Sequence, residues 1–334
     1  MTIKDIARES GYAVGTVSRV LNNSPNVSET ARVKIMEVVE KHHFRLNNNA
    51  KHLKQQASKG ISIIVKGSQN MFFASIVEEM QDLIEEKGYT SVIYYIGEDE
   101  DEIEQAQQIC RERRPLGILL LGSNQKNFRE RFAEVSVPCV LVTNPAQAFG
   151  FENLSSVTTD NAQGAAAAVE HLLELGHRKI GILGGQREES PAVYTRCVGC
   201  EKTFAAHGVP YAPDQQYEVT LFSVTGGYEA MGRLLDKMPD VTAVFAMSDV
   251  LAIGAMRAIW DRGLKVPEDI SVMGYDGIDL GNYLTPKLTT IRQNRERIAN
   301  RSVEILLENI VGKVQAVHEV VPFSIVSGES TRKL

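Results

Sequence analysis

The first 45 residues carry the periodicity of three short amphipathic helices. In the stretch TIKDIARESG the apolar residues share one helical face, Thr2 is placed to cap the helix, and Gly11 is typical of the turn that ends it. A second helical run begins at Ala13 or Val14, and a third follows NNSPNVS with Ser28 as its cap. Two helices joined across a glycine turn and backed by a third predict a helix-turn-helix unit.

From residue 60 onward, short apolar runs alternate with amphipathic helical stretches. The runs predict strands at 61–65, 91–96, 117–121, 139–143, 155–159, 179–183, 243–247 and 270–274. Strands that alternate with helices are typical of parallel sheets with crossover helices, the doubly wound α/β architecture. About 275 residues are many for one such sheet, so we expect two similar lobes.

Charge is distributed unevenly along the 334 residues. The formal net charge is −6, yet residues 1–59 hold ten Lys or Arg against five Asp or Glu, so the remainder is strongly acidic. A basic head on an acidic body favours contact between the head and a polyanion such as nucleic acid. A chance excess over so short a stretch would give the same balance, so charge alone does not decide.

The sequence gives no sign of export or membrane insertion. The N-terminus lacks an apolar signal core, and the longest apolar runs, such as GILLLG and CVLV, are too short to span a bilayer. Four cysteines, two of them the distant singles Cys110 and Cys139, do not make a disulfide framework. We therefore expect a cytoplasmic protein with no membrane contact.

In helix-turn-helix units the second helix enters the major groove, and the residues near its start face the bases. This places Val14, Gly15, Thr16, Ser18 and Arg19 toward DNA. The guanidinium of Arg19 can pair with a guanine edge, and the hydroxyls of Thr16 and Ser18 suit phosphates or bases. The same periodicity fits a three-helix bundle that binds nothing, and the pattern leaves both interpretations open.

Polar side chains follow several of the predicted strands, where open α/β sheets bind their ligands. The candidates are Ser68, Asn144, Asp160, Ser248, Asp249 and Asp276, with Arg196 near the start of the helix after GILGG. Hydrogen-bonding side chains suit a polyhydroxylated molecule, and the rings of Phe72 and Phe222 could pack against its apolar faces. Alternatively, some of these residues only cap helices, as Asp and Ser commonly do.

Other motifs do not indicate an enzyme or a cofactor. The CVGC spacing at residues 197–200 has no second cysteine pair nearby and falls on a predicted helix, so packing cysteines are favoured over a metal or redox site. GILGGQ is not a GxGxxG dinucleotide fingerprint. The run GEDEDEIEQAQ is interpreted as a helix start whose carboxylates suit the macrodipole. We recognise no catalytic set and expect no cofactor and no metal.

The stretch TIKDIARESGYAVGTVSRVLNN closely resembles the N-terminus of the LacI/GalR family of bacterial transcription regulators, and TVSRVLNN is its most specific part. NMFFASIVEEM, DNAQGAAAAVEHLLELGHRKIGILGG, AVFAMSDVLAIGAMRAI and ISVMGYDGIDLGNYLTPKLTTIRQN resemble further family blocks. The chain departs from the pattern at Ala13, where the family usually has a capping serine, and at Gly15, which has no side chain to read a base. The resemblance implies two periplasmic-binding-protein-like lobes joined by three crossovers, with effector contacts at Arg196 and Asp276.

The resemblance also implies a domain division and a DNA-contacting hinge. It divides the chain into a head at 1–45, a hinge at 46–59 and a body at 60–334. The N-lobe would span about 60–160 plus 290–320, and the C-lobe about 161–289 plus 321–334. In the hinge stretch HHFRLNNNAKHLKQQ, a short helix would form on DNA and the Leu53 side chain would wedge into the minor groove. Further DNA contacts are predicted at Thr2, Asn22, Ser28, Asn47, Ala50 and Lys51.

These expectations describe a transcription regulator, and specifically a repressor. A homodimer would bind a palindromic double-stranded DNA operator, and a small-molecule effector, expected to be a sugar or sugar derivative, would control operator affinity. The alternatives are a body that responds to a protein partner or a purine-type corepressor, a solute-binding protein, and an enzyme that uses the α/β body.

Overall fold

The computed structural model describes residues 3–21, 27–42, 60–67, 70–312 and 315–334. The chain forms two compact units, Met1–Gln56 and Ala57–Leu334. Several predicted site residues lie outside the described residues: Thr2, Asn22, Asn47, Ala50, Lys51, Leu53 and Ser68.

The first unit contains helices α1 (Ile3–Ser10), α2 (Val14–Leu21) and α3 (Glu29–Lys41). Its core is made of apolar side chains from all three helices, namely Ile6, Ala7, Val17, Val20, Ile35 and Val39. Gly11 turns the chain between α1 and α2 with a φ of 76°, a conformation that favours glycine. The Glu9 carboxylate accepts a hydrogen bond from Lys41 at 2.8 Å, which ties α1 to the end of α3. The predicted helix-turn-helix unit is confirmed.

The first lobe of the second unit contains an all-parallel six-stranded sheet in the order β11-β5-β4-β3-β1-β2. Its strands are β1 (Gly60–Lys66), β2 (Thr90–Ile96), β3 (Gly117–Leu121), β4 (Cys139–Val142), β5 (Leu154–Thr159) and β11 (His318–Val321). Its helices are α4 (Met71–Glu86), α5 (Glu102–Glu112), α6 (Gln125–Arg131) and α12 (Arg295–Val311), with 3₁₀ turns at Phe132–Glu134 and Gln147–Phe149.

The second lobe contains another six-stranded sheet in the order β12-β10-β9-β8-β6-β7, in which only β12 runs antiparallel. Its strands are β6 (Ile180–Gly184), β7 (Tyr217–Val219), β8 (Ala243–Ala246), β9 (Ser271–Asp276), β10 (Thr289–Gln293) and β12 (Phe323–Val326). Its helices are α7 (Asn161–Glu174), α8 (Pro191–Ala206), α9 (Pro213–Gln216), α10 (Val224–Lys237) and α11 (Asp249–Asp261), with a 3₁₀ turn at Asp279–Tyr283.

The chain passes between the lobes three times. It leaves the first sheet after Thr159, returns after Gln293 to form α12, and leaves again between Val321 and Phe323. Because β10 belongs to the second sheet, the return lies a few residues beyond position 290. Each sheet has an apolar core on both faces: α4 and α12 pack on one face of the first sheet with α5 and α6 on the other, and α7 and α8 pack on one face of the second sheet with α10 and α11 on the other. The predicted fold class, a helical head with a body of two doubly wound lobes, is confirmed.

Candidate effector cleft and DNA-reading helix

A cavity of about 470 Å³ lies where the strand ends of the two lobes face each other. That volume falls within the range of about 300–1,000 Å³ that is usual for small-molecule sites. Its walls are Lys66, Gly67, Asn70, Phe72, Phe73, Glu98, Asp99, Gly122, Ser123, Asn124, Thr143 and Asn144 from the first lobe, and Gly185, Gln186, Glu189, Ser190, Ala192, Val193, Arg196, Val219, Thr220, Leu221, Phe222, Asp276 and Gln293 from the second.

Arg196 brings a buried cation to the cleft wall. It lies on α8, and its guanidinium donates from Nε to the Asn161 side chain at 2.8 Å and from Nη1 to the Met247 carbonyl at 2.6 Å. The guanidinium carbon also stands 3.7 Å from the ring centroid of Tyr275, in cation–π contact. These contacts fix the guanidinium, and its fork of N–H donors suits ligand oxygens.

Asp276 ends β9 and brings a buried carboxylate to the same wall. It accepts hydrogen bonds from the Ser248 hydroxyl and from the Gln293 amide, each at 2.8 Å. Burial raises the pKa of Asp276, even though the Arg196 guanidinium opposes the rise. Each carboxylate oxygen has a second lone pair, so the group can still accept a hydrogen bond from a ligand hydroxyl.

A second buried carboxylate, Asp249, lies behind the cleft wall. It accepts from the backbone N–H groups of Gly277 and Ile278 and from the Thr290 hydroxyl, and so holds the turn after β9. Burial raises the pKa of Asp249, and the negative charge of Asp276 raises it further. Two carboxylates this deeply buried oppose each other's ionisation.

Backbone strain is concentrated at the cleft. Three non-glycine residues in the described part of the chain have positive φ angles, and two of them, Thr143 at 71° and Asp276 at 120°, line this cavity. Such conformations cost about 1–3 kcal/mol each and cluster at ligand sites. The strained residues at the carboxyl ends of β4 and β9 therefore support the assignment of a binding site.

Aromatic rings from both lobes form the apolar part of the cleft. Phe72 and Phe73 come from the start of α4, with ring centroids 6.4 Å apart, and Phe222 comes from the loop after β7. The ring of Phe222 lies against the α-carbon of Gly185, since a Cβ added there would stand 2.7 Å from it. Any larger residue at position 185 would displace the Phe222 ring.

Asn144 links the two lobes across the cleft. Its side-chain oxygen accepts from the backbone N–H of Ala192 at 3.1 Å and from the Ser190 hydroxyl at 3.4 Å, both at the start of α8. The backbone N–H of Gln125 donates across the same gap to the Glu189 carbonyl at 2.8 Å. The structure therefore holds the lobes in hydrogen-bonded contact.

Of the predicted effector residues that the structure describes, five line the cavity: Phe72, Asn144, Arg196, Phe222 and Asp276. Ser248 does not line it, and instead supports Asp276 from behind. Asp160 does not line it either, because its carboxylate caps α7 by accepting from the Gln163 N–H at 2.9 Å. The strand-end pattern therefore selected helix caps as well as cleft residues. The sequence had left open that some of these residues only cap helices.

Sequence reasoning missed other cleft residues that carry polar chemistry. Lys66, Glu98, Ser123 and Thr143 lie at the end of predicted strands or within two residues after it, so the strand-end rule that found Asn144 could have found them. Gln293 is the last residue of β10, a strand that was not predicted. The residues of the acidic run GEDEDEIEQAQ have two different environments. Asp101 caps α5, as expected, whereas Glu98 and Asp99 line the cavity.

In the head, the start of α2 presents a small and mainly exposed surface. The side chain of Val14 is 42% exposed, Arg19 is exposed, and Thr16 is half-buried. A Cβ added at Gly15 would meet nothing within 4 Å, so this position is open space. The Ser28 hydroxyl accepts from the Ala31 N–H at 3.4 Å and caps α3. The structure does not describe the side chain of Ser18.

Helix α2 begins without a side-chain cap, which gives a testable consequence. The Ala13 carbonyl accepts from the N–H groups of Thr16 and Val17, so Ala13 is the N-cap residue and offers no oxygen to the N–H groups of the first turn. We expect Ala13→Thr to stabilise α2 by about 1 kcal/mol, seen as roughly fivefold slower hydrogen exchange of its amides. Ala13→Val, with the same shape and no hydroxyl, should give no gain; equal slowing in both variants would contradict the capping explanation.

The described residues contain no group of three or more His, Cys, Asp or Glu side chains that could hold a metal ion. Cys197 and Cys200 of the CVGC motif are buried in the core of the second lobe. Across the part of the chain that the structure describes, every helix is too short or too polar to cross a membrane.

The fold and the site define a two-lobed ligand-binding protein of the periplasmic-binding-protein type that carries a helix-turn-helix unit. The family model for bacterial regulatory proteins of the lacI family matches residues 2–47, and the model for the periplasmic binding protein-like domain matches residues 169–331. The HTH-type transcriptional regulator MalR of Clostridium butyricum is 34% identical over 336 residues, which cover 99% of each protein. The chain belongs to the LacI family of bacterial regulatory proteins.

Solved structures agree with this membership. The transcriptional regulator CelR in complex with cellobiose matches with a TM-score of 0.73 and 27% identity, over 99% of each chain. The lac repressor dimer bound to operator and an anti-inducer matches with a TM-score of 0.72 and 25% identity, again over 99% of each chain. The similarity therefore extends over head and body together. The relatives are transcription regulators and not enzymes, as expected for this chain.

Proposed function

We propose that this protein is a sequence-specific DNA-binding transcription repressor whose affinity for its operator is controlled by a carbohydrate bound in the cleft. It acts in the cytoplasm as a homodimer on a palindromic duplex. The observation that carries this proposal is the presence, in one chain, of a helix-turn-helix unit with an exposed α2 start and a cleft walled by fixed hydrogen-bonding groups and aromatic rings.

The cleft chemistry favours a polyhydroxylated ligand. Arg196 and Asp276 supply a donor and an acceptor at the base of the cavity, and Asn144 and Thr143 supply further polar groups on the opposite lobe. Phe72 and Phe222 supply apolar faces on opposite walls. The complex of CelR with cellobiose supports this choice of ligand class.

An exposed apolar patch on the second lobe supports the homodimer. Trp260 at the end of α11 is 65% exposed and Tyr283 is 82% exposed. Beside Trp260 lies a groove of about 400 Å³, lined by Ile253, Met256, Leu264, Val266 and Leu284 among others. Exposed apolar surface of this kind marks protein interfaces, and the similarity to the lac repressor dimer points to a second copy as the occupant.

DNA binding tests the proposal directly. Purified protein would be used to select duplexes from a random library, and affinity for the selected duplex would be measured at several salt concentrations with and without carbohydrates. We expect a palindromic consensus, a steep loss of affinity with salt, and an effect of at least one sugar. Failure to bind any duplex in a salt-dependent way would refute the proposal.

Arg19 gives a sharper test of base reading by α2. Because its exposed guanidinium can pair with a guanine edge, Arg19→Ala should weaken binding to the selected duplex by about 1–3 kcal/mol and relax the preference at one base pair of each half-site. Arg8→Ala is the matched control, since Arg8 is exposed on α1 and pairs with Asp5. Fluorescence anisotropy with duplexes that carry single base-pair substitutions measures the affinity of both variants. If both variants lose affinity equally, Arg19 is a non-specific phosphate contact.

A further inference from the structure

The charges around the cleft are unequal. Among the described residues that line it, four are acidic, namely Glu98, Asp99, Glu189 and Asp276, and two are basic, Lys66 and Arg196. Both cations already have protein partners. The Lys66 ammonium donates to the Glu102 carboxylate at 2.8 Å, and the Arg196 guanidinium is held by Asn161, Met247 and the Tyr275 ring. The cleft therefore offers negative charge at its mouth and few uncommitted positive groups.

Helix N-termini, the other common anion sites, are also occupied. Helices α4, α6 and α8 begin at the cleft, and the structure shows a side-chain oxygen on the first turn of each one. The Asn70 oxygen accepts from Phe72 N–H at 3.0 Å and the Asn124 oxygen from Lys126 N–H at 3.1 Å. At α8 the first N–H groups are taken by Ser190 and by Asn144 from the other lobe. A phosphate at these helix starts would compete with the caps for the first-turn N–H groups.

Glu98 is held at the cleft by contacts with both lobes. Its side chain lies across Gly67, where a Cβ would stand 3.3 Å from the Glu98 Cγ, and its carboxylate accepts the backbone N–H of Phe222 from the opposite lobe. Burial raises the pKa of Glu98, and the neighbouring charge of Asp99 adds to the rise. In the described chain, no Lys or Arg side chain forms an ion pair with Glu98.

The cavity is larger than one sugar ring requires. Its volume of about 470 Å³ corresponds to about 16 water molecules at roughly 30 Å³ each. A single hexose has fewer non-hydrogen atoms than that, and covalent bonds hold them closer together than liquid water molecules. Phe72 and Phe73 on one lobe and Phe222 on the other provide ring-sized apolar surface at separate walls. The cavity therefore has room for a second sugar ring.

We propose that Glu98 is a specificity-determining residue that, with Asp99 and Glu189, excludes phosphorylated and acidic sugars and restricts the effector to a neutral saccharide of at least two rings. This inference rests on the proposed function, because it names the ligand class of the same cleft. A phosphate monoester carries a charge of about −1.5 to −2 near neutral pH. Such a group would face the Glu98 carboxylate without a free cation to balance it.

Isothermal titration calorimetry with the full chain tests this proposal. The neutral probes are glucose, cellobiose, maltose and trehalose. The charged probes are glucuronic acid and the 6-phosphates of the three disaccharides. We expect a neutral disaccharide to be the tightest ligand, with its phosphate at least 100-fold weaker. Glu98→Gln should raise affinity for the phosphate at least tenfold relative to the affinity for the neutral disaccharide. Glu85→Gln, which removes the same charge from an exposed site on α4, should change neither.

The inference is overturned if the tightest ligand is a phosphate, glucuronic acid or glucose, if none of the probes binds, or if Glu98→Gln and Glu85→Gln behave alike. Duplex binding is measured on the same preparations to separate this result from the proposed function. Loss of sugar discrimination with intact salt-dependent duplex binding would reject the Glu98 role alone. Absence of duplex binding would reject the proposed function whatever the sugars do.

Discussion

Arg196→Met is expected to abolish carbohydrate binding and to lower the free energy of unfolding of the body. The side chain is buried, and its guanidinium satisfies the Asn161 side chain and the Met247 carbonyl while it contacts the Tyr275 ring. Removing it takes a donor from the Met247 carbonyl, leaves the Asn161 oxygen with the Tyr275 hydroxyl at 3.3 Å, and ends the cation–π contact, a combined cost of about 2–4 kcal/mol. Thermal unfolding with and without the sugar that binds best measures both effects.

The structure changes what this substitution can show. The sequence predicts Arg196 only as an effector contact. Its burial and its two protein acceptors now predict a loss of stability as well, so the variant cannot by itself distinguish a ligand contact from a packing role. Arg196→Lys keeps the charge without the planar fork, and it should recover part of the stability while binding remains weak.

Asp276→Asn separates binding from stability. Burial raises the folded-state pKa of Asp276 to about 6 and that of Asp249 to about 8, above their value of 3.8 in the unfolded chain, so stability is lost as pH rises from 3.8 to about 8. An asparagine removes one of the two charges, and the Ser248 hydroxyl can turn to accept from its amide. We expect sugar binding to be lost at pH 8 with stability equal to or above that of the wild type. A variant that unfolds as easily as Arg196→Met would contradict this account.

Much of the fold could be predicted because buried parallel strands are continuous apolar runs. Each of the eight predicted strands overlaps an observed one, from β1 to β9. The strands that were missed, β7, β10, β11 and β12, are short or carry polar residues. Strand β10 is the informative case, since Thr289, Thr290 and Gln293 are all buried. Their burial is tolerated because Ser330, Asp249 and Asp276 accept hydrogen bonds from them, in that order. Partners this far away in the sequence cannot be predicted from local periodicity.

The cleft could be predicted in position and only partly in composition. A residue that follows a strand can point into the cleft or cap the next helix, and the sequence is similar in both cases. Asp160 and Asp276 both follow strands, yet Asp160 accepts from the backbone of its own helix whereas Asp276 meets Ser248 and Gln293. Glu98 is set apart from Asp101 in the same acidic run only by the N–H of Phe222, more than a hundred residues away. Tertiary contacts therefore decide which carboxylates face the ligand.

Trp260→Asp is expected to produce monomers and to reduce operator affinity more than any substitution in the head. Dimeric helix-turn-helix proteins read two half-sites at once, and joining two weak binding units typically raises affinity by about 10²–10⁴. A carboxylate at this position of the groove would have to be desolvated when a second copy docks. Because the Trp260 side chain is 65% exposed, the fold of the monomer should persist.

Analytical ultracentrifugation, circular dichroism and duplex binding on the same samples check this expectation. Tyr194→Asp provides the matched control, since Tyr194 is a half-exposed aromatic residue on α8, away from the Trp260 groove. We expect this control to remain dimeric with wild-type affinity for the duplex. A dimeric Trp260→Asp variant would place the interface elsewhere on the body, and a monomeric variant with unchanged affinity would mean that one head suffices for the operator. The large predicted loss therefore depends on a single exposed surface of the second lobe, and on the two-fold symmetry that it imposes on DNA recognition.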